Sequence, residues 1–140
     1  MIRLRSDAEL ALAFSVMKQL RPHIPDEKEF IARVREGEEH EEYALFGLEE
    51  GGELVALCGV QPMVTLYFDR CLWVSDLVTD DRRRSRGYGA KLLGEVETWA
   101  RENGYREISL SSGMQRKDAH RFYLDKMGYA ITSYQFKKTL

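Results

Sequence analysis

One stretch of the chain has the residue types to hold an anion: Asp80-Asp81-Arg82-Arg83-Arg84-Ser85-Arg86-Gly87-Tyr88-Gly89-Ala90-Lys91. An apolar run, Leu72 to Thr79, leads into it, and an amphipathic helical pattern from about Arg86 to Asn103 leads out. The first N–H groups of a helix have no carbonyl partner within the helix, and the macrodipole adds partial positive charge at that end. Gly87 and Gly89 carry no Cβ, so a phosphate can approach the backbone closely. Arg82, Arg83, Arg84 and Arg86 add formal positive charge. Strand, glycine-bearing turn and helix in that order read as a pyrophosphate cradle. The Walker A pattern is disfavoured, because Gly89 is followed by Ala90-Lys91-Leu92 rather than Lys and a hydroxyl residue. The dinucleotide fingerprint is disfavoured too, because its third small residue would fall on Leu92.

A second candidate is Asp76, in the otherwise nearly apolar run Leu72-Trp73-Val74-Ser75-Asp76-Leu77-Val78. An ionised carboxylate there is costly unless paired or solvated. Two readings stay open. Asp76 faces a cleft, where it accepts a proton from an ammonium or binds the cation, or it pairs with an arginine near the strand. Tyr123 is the third candidate. Any tyrosine, with an ordinary phenol pKa of about 10, is a proton donor at neutral pH, and only a family resemblance distinguishes Tyr123 from the others. The plainer reading is an amphipathic tyrosine packed on a sheet. Cys58 and Cys71 lack a Cys–His spacing that would make either a nucleophile, and His23, His40 and His120 are scattered without metal-ligand spacing, so no metal is expected.

The elements that position these residues follow from periodicity. Ile2 and Leu4 alternate with Arg3 and Arg5, a short first strand. Ser6 or Asp7 caps a helix carrying Leu10, Phe14, Met17 and Leu20, and Arg21-Pro22-His23-Ile24-Pro25 breaks it. Asp26 caps a second helix with Phe30, Ile31 and Val34, expected to end at Gly37 before an acidic loop, Glu38 to Glu42. Tyr43 to Leu48, Leu54 to Val60, Met63 to Phe68 and Cys71 to Thr79 read as strands of an antiparallel meander, with a glycine turn at Glu49 to Glu53 and a bulge or edge at Pro62. The helix after the cradle stops at Asn103-Gly104; Gly94 within it costs about 1 kcal/mol relative to alanine and suggests a close approach to the sheet. Tyr105 to Leu110 is the next strand, parallel to the one before the cradle across a βαβ crossover. Asp118 caps a last helix with Ala119, Phe122, Tyr123 and Met127, stopped by Gly128. Tyr129 to Lys137 closes the chain as a strand, with Ile131, Tyr134 and Phe136 inward.

With 140 residues, the chain suits one domain, residues 1–140, with a real core. A net charge of −2 argues against general nucleic-acid binding, so the arginine cluster is a local feature. A bilayer-spanning apolar run is absent, and the start lacks the apolar segment of a signal peptide. Two cysteines make no disulfide framework. A cytoplasmic protein with reduced thiols is expected, with no nucleic-acid or membrane partner.

The pattern Arg84-x-x-Gly87-x-Gly89 after a strand resembles the acyl-CoA-binding motif of the GCN5-related N-acetyltransferase (GNAT) family. The segment Asp118 to Tyr129 resembles that family's Ala-x-x-x-Tyr-x-x-x-Gly-Phe/Tyr segment. The resemblance is densest over Cys71 to Phe136 and implies an α+β fold of GNAT type, with a mixed six- or seven-stranded central sheet and about four helices. It implies acetyl-CoA as acetyl donor, with Arg84, Ser85, Arg86, Gly87, Tyr88, Gly89, Ala90 and Lys91 around the pyrophosphate. Backbone amides of Leu77, Val78 and Thr79 would serve the acetyl carbonyl and the pantetheine arm, and Tyr123 would protonate the leaving thiolate. An acidic residue at or near Asp76 is common in the family. Arg116 stands where the family often has asparagine, which removes one side-chain contact to the pantetheine arm. The resemblance also allows a homodimer through the sheet or the C-terminal strand, where Tyr134, Phe136 and Trp73 could serve.

The function expected is acetyl-CoA-dependent N-acetylation of a primary amine, a small molecule or a lysine or N-terminal amine, by direct attack in a ternary complex. The neutral amine, the carbonyl oxygen and the leaving thiolate each need help, and no covalent intermediate is required. Asp76 and Tyr123 are the catalytic candidates. The alternative is a non-catalytic acyl-CoA-binding or regulatory module. A nucleotide- or nucleic-acid-binding domain using the arginine cluster would bind with steep salt dependence. The acceptor is not legible in the sequence.

Overall fold

The computed structural model describes residues 1–140. The chain divides into two compact units, Met1–Ser109 and Leu110–Leu140.

The first unit holds a five-stranded mixed sheet in the order β1-β2-β3-β4-β5: β1 Ile2–Arg3, β2 Ala44–Glu50, β3 Glu53–Met63, β4 Cys71–Thr79 and β5 Glu107–Ser109. The first four run antiparallel in sequence, and β5 joins β4 in parallel across the expected crossover. The α+β class is as read from the sequence; the sheet has five strands rather than six or seven. Met63 ends β3, so Val64 to Phe68 adds no strand. The β2–β3 turn puts Gly51 and Gly52 at φ 62° and 79°, a backbone that L side chains rarely adopt.

Helices α1 (Asp7–Leu20) and α2 (Glu27–Glu41) cover one face of the sheet. Leu10, Ala13, Val16 and Met17 of α1 and Phe30 and Val34 of α2 pack with Leu45, Leu57 and Val78 from the strands. Ser6 and Glu9 form a reciprocal capping box at the start of α1, and Asp26 caps α2. Gly37 does not end α2. The helix runs four residues further and stops at Glu42, whose φ is 54°. A single glycine costs a helix only about 1 kcal/mol, and here it has a packing reason: a Cβ at Gly37 would lie 3.0 Å from Cβ of Tyr43. Helix α3 (Tyr88–Glu102) packs on the opposite face, where the rings of Phe46 and Trp99 stand 5.1 Å apart. A Cβ on Gly94 would meet nothing within 4 Å. The close approach to the sheet expected there is absent, and Gly94 instead borders an open groove with Met1, Ala90 and Thr98.

The second unit holds a short helix α4 (Lys117–Arg121) that passes into a π-helical turn, Phe122–Lys126. Asp118 lies inside α4 and pairs with Arg121 instead of capping the helix. Tyr129 to Lys137, expected as the closing strand, joins no ladder, and Ile131, Tyr134 and Phe136, expected inward, are exposed. Strand propensity is local, whereas a strand exists only through a neighbour.

Candidate active site

The candidate site in the first unit begins where β4 loses a neighbour. β5 pairs with β4 only at Cys71, Leu72 and Trp73. From Val74 to Thr79, β4 pairs with β3 alone, so its other edge has no strand partner. Backbone groups alternate along this stretch: the Asp80 N–H donates to the Val55 carbonyl of β3, so Val78 likewise faces β3, and Leu77 and Thr79 turn theirs to the open edge. At the end of β4, Asp80 is 2% exposed and stabilises the descent into the cradle. Its carboxylate accepts from the Arg82 backbone N–H at 3.1 Å, from Arg82 Nη2 at 2.8 Å and from Gln19 Nε2 at 3.4 Å. Arg82 above all holds its carboxyl down to about 2. Asp81–Arg83 then makes one turn of 3₁₀ helix.

The cradle follows. Ser85 has φ 63° and Gly87 φ 79°, both in the left-handed region. Gly87 is the N-cap of α3, and no side chain caps this helix, whereas α1 and α2 both have side-chain caps. Lys91 donates to the Gly87 carbonyl at 2.9 Å, the first intrahelical bond. The N–H groups of Tyr88, Gly89 and Ala90 thus open the helix with no side-chain acceptor, as an anion site requires. A Cβ on Gly87 would meet nothing within 4 Å, so the space over it is open.

The arginines divide. Arg82 pairs with Asp80, Arg83 with Glu53 at 2.5 Å and Arg84 with Asp81 at 2.6 Å. Arg84 and Asp81 are both exposed, so that pair exchanges cheaply for a phosphate. Arg86 and Lys91 are exposed and make no ion pair. The sequence sets only Arg84 apart, as the motif residue, and leaves Arg82, Arg83 and Arg86 between a phosphate and solvent; in the structure Arg82 and Arg83 pair with Asp80 and Glu53 and shape the loop.

Asp76 stands on the other side of this strand end, on the face covered by α1 and α2. A bulge makes that corner: Gly59 pairs with Asp76 and Val60 with Val74, leaving Ser75 as the extra residue of β4. Asp76 Oδ1 accepts from Arg21 Nε at 2.8 Å, and Oδ2 accepts from the Tyr43 hydroxyl at 2.9 Å. Arg21 Nη2 also donates to the Ser75 carbonyl at 2.8 Å. The arginine pairing weighed for Asp76 is present, and the partner comes from the end of α1, 55 residues away. Burial, with Asp76 next in effect, pushes the Tyr43 phenol well above the ordinary tyrosine range, so it remains a donor. Gly59 makes room for the pair: a Cβ there would lie 2.0 Å from the Tyr43 hydroxyl and 2.7 Å from Asp76 Oδ2. Sequence reasoning missed Arg21 and Tyr43, and a lone charge in an apolar strand was the only signal for either.

Cys58 and Cys71 are buried and unbridged, and burial pushes both thiols up, away from the reactive thiolate. In the second unit, Tyr123 is half-buried in the π-helical turn. Its ring lies 5.2 Å from Phe122 and 5.8 Å from Tyr129, and its carbonyl accepts from the Tyr129 N–H. His120 Nε2 bonds the Gly113 carbonyl at 2.8 Å.

Comparison with known proteins bears on this arrangement. A sequence model of the acetyltransferase (GNAT) family matches residues 10–129. The chain is 45% identical to an uncharacterized N-acetyltransferase, YhdJ, of Bacillus subtilis (strain 168), over 99% of this chain and 96% of that protein. It is 28% identical to the aminoalkylphosphonate N-acetyltransferase of Salmonella typhimurium (strain LT2), over 96% of this chain and 85% of the relative. Its fold superposes on the aminoglycoside N-acetyltransferase AAC(6')-Iy, solved in complex with CoA, with a TM-score of 0.83 at 16% identity, covering 97% of this chain and 91% of that one.

Proposed function

The chain belongs to the acetyltransferase (GNAT) family and is an N-acetyltransferase, and from that premise we propose that it moves the acetyl group of acetyl-CoA to a primary amine by direct attack in a ternary complex. The observation that carries this reading is the uncapped N-terminus of α3 behind two left-handed loop residues, reached from a strand with an open edge. These features fit a pyrophosphate followed by an extended pantetheine arm. Arg84, Ser85, Arg86, Gly87, Tyr88, Gly89, Ala90 and Lys91 hold the pyrophosphate, chiefly through backbone N–H groups, and Arg84 exchanges Asp81 for it. Acetyl-CoA supplies an acetyl group already activated as a thioester.

The chain's residues do the rest. Of Leu77, Val78 and Thr79, the first and last turn their backbone N–H groups to the open edge of β4, where they stabilise the charge that develops on the carbonyl oxygen, while Val78 holds the strand to β3. Asp76 draws the acceptor's ammonium to this corner and receives its proton, directly or through water. The amine nitrogen bonds the acetyl carbon as the carbon–sulfur bond breaks; Tyr123 gives its phenolic proton to the thiolate, and the proton shed by the new amide nitrogen passes through solvent to restore the phenol. The 140 residues act as one acetyltransferase domain. Two unbridged thiols, Cys58 and Cys71, suit a reducing cytoplasm.

The Salmonella relative is named for aminoalkylphosphonates, so amines carrying an anionic group are the first acceptors to try. The test is thiol release from acetyl-CoA with aminophosphonates, amino acids, polyamines, aminoglycosides and a lysine peptide. Acceptor-dependent release is expected. CoA binding without turnover of any amine would leave a non-catalytic acyl-CoA module, and absence of CoA binding would overturn the cradle.

A further inference from the structure

The corner around Asp76 has more structure than a general base needs. Tyr43 is held between two glycines: Gly37, whose Cβ would crowd the Tyr43 Cβ, and Gly59, whose Cβ would occupy the place of the phenol oxygen. This seat delivers the Tyr43 hydroxyl to Asp76 Oδ2. Arg21 closes the other side. It caps the C-terminus of α1, with its N–H on the Met17 carbonyl, so the base of its side chain is fixed as well. The guanidinium uses one edge only, Nε toward Asp76 Oδ1 and Nη2 toward the Ser75 carbonyl. Nη1 makes no hydrogen bond, and the Arg21 side chain is 39% exposed. A planar guanidinium pinned along one edge presents its remaining parallel N–H groups in the geometry that suits an oxyacid. Asp76, at 13% exposure, keeps further lone pairs on oxygens that already accept one bond each. A fixed cation and a fixed anion therefore stand side by side, each with capacity left over.

We propose that Arg21 and Asp76, with Tyr43 positioning the carboxylate, recognise a zwitterionic acceptor: a primary amine joined by a short carbon chain to a phosphonate or carboxylate. The ammonium goes to Asp76, and the oxyanion goes to the outer edge of Arg21. This rests on the acetyltransferase reading above and adds the acceptor's chemical class. A simple amine satisfies Asp76 alone. A polyamine brings a second cation toward Arg21 and is rejected. A zwitterion whose two charges lie close together satisfies both groups without leaving either one facing a like charge. The pair is itself neutral, so the selection acts on charge arrangement rather than on net charge. Tyr43 is a positioning residue here. Its buried phenol bonds the carboxylate and leaves the acceptor to the two charged groups.

The experiment compares kcat/KM for aminoethylphosphonate, β-alanine and ethylamine in the wild type and in Arg21→Gln. The wild type should favour the two zwitterions over ethylamine by about 10- to 100-fold, the worth of one charge-assisted bidentate contact. In Arg21→Gln that ratio should collapse toward one, with the change chiefly in KM. Affinity for CoA and the thermal midpoint report whether the variant has folded. If Arg21→Gln does not fold, Arg21→Lys takes its place; it keeps the charge but not the fork, and should lose most of the ratio. An unchanged ratio in a folded variant would overturn the inference and leave the acetyltransferase reading intact. Calorimetric binding of aminoethylphosphonate to the CoA-loaded protein gives a readout independent of turnover. If no amine is acetylated, Arg21-dependent binding in that titration still supports the acceptor site while the reading of the chemistry fails. Absence of binding there would overturn the site as well.

Discussion

Asp80→Asn tests whether the cradle depends on one buried carboxylate. Asp80 is 2% exposed and accepts three bonds from Arg82, one of them from its backbone N–H, and one from Gln19. Its carboxyl falls from the ordinary 3.8 to about 2, with the Arg82 side chain as the largest cause and burial opposing. That difference corresponds to about 2.4 kcal/mol of stability. Arg82 is 74% exposed and partly screened by solvent, so about 1–2 kcal/mol is the expected loss in the amide variant. For a chain of this size that is a fall in Tm of roughly 3–8 °C. The sign follows from the direction. The folded-state value is depressed, so the contribution is complete above about pH 4 and is lost as pH falls through 2. About half should be gone by pH 3, so the gap between wild type and variant should have narrowed to about half there and should close below about pH 2. Both tryptophans, Trp73 and Trp99, lie in Met1–Ser109, so fluorescence-monitored urea unfolding reports the unit that contains the cradle. Two results would refute the reasoning: coincident midpoints at pH 7, or a gap that does not narrow between pH 5 and pH 3. CoA affinity should weaken in the variant, because the turn that aims residues 84–89 loses its anchor.

Gly59→Ala should cost about 1–3 kcal/mol in urea unfolding, since its methyl group claims the position of the Tyr43 hydroxyl. Its kcat/KM should fall while CoA affinity holds, and normal turnover would detach the Asp76 corner from the reaction. Tyr123→Phe should lower kcat by roughly 10²-fold or more with CoA affinity within about twofold; steady-state thiol release and calorimetry measure the two, and unchanged kcat would remove the general-acid role. In Arg21→Gln, the preference for zwitterions over ethylamine should vanish.

What was legible in the sequence was local or periodic. The strand, turn and helix around Gly87 and Gly89 show in adjacent residues, as do the Ser6 and Asp26 caps and the crossover from β4 to β5. Gly37 misled because breaker chemistry is weak against tertiary packing: the helix continues, and the glycine answers to Tyr43. For Asp76 the sequence allowed an arginine partner but could not say which, and Tyr43 could not be read at all. Arg21 and Tyr43 lie 55 and 33 residues away, and only sheet register and helix packing bring them in. The bulge at Ser75 shows why. A strand with one extra residue looks like any other strand until its neighbour is known, yet the bulge places Asp76 opposite Gly59. For the closing segment, Tyr129 to Lys137, alternation announced a strand for which the chain provides no ladder.

The last turn of α1 links the two halves of the candidate site in the first unit. Gln19 donates to Asp80 Oδ1 and accepts from the Asp81 N–H at 2.9 Å. Two residues later, Arg21 holds Asp76 and the carbonyl of bulged Ser75. One helix end therefore fixes both the turn that begins the donor cradle and the carboxylate proposed for the acceptor. The β4 segment between them, Leu77 to Thr79, is the stretch with an open edge. Such an edge would be free to twist if only β3 held it. Anchored before by Arg21 and after by Gln19, it keeps its backbone N–H groups in register with the loop that follows. Both anchors are side-chain hydrogen bonds from a helix whose own position is set by Leu10, Ala13, Val16 and Met17 in the core. Core packing of α1 thereby becomes precision at the site: a change that shifts this helix should disturb donor affinity and acceptor choice together, whereas loss of the Gln19 amide should weaken chiefly the first and loss of Arg21 chiefly the second.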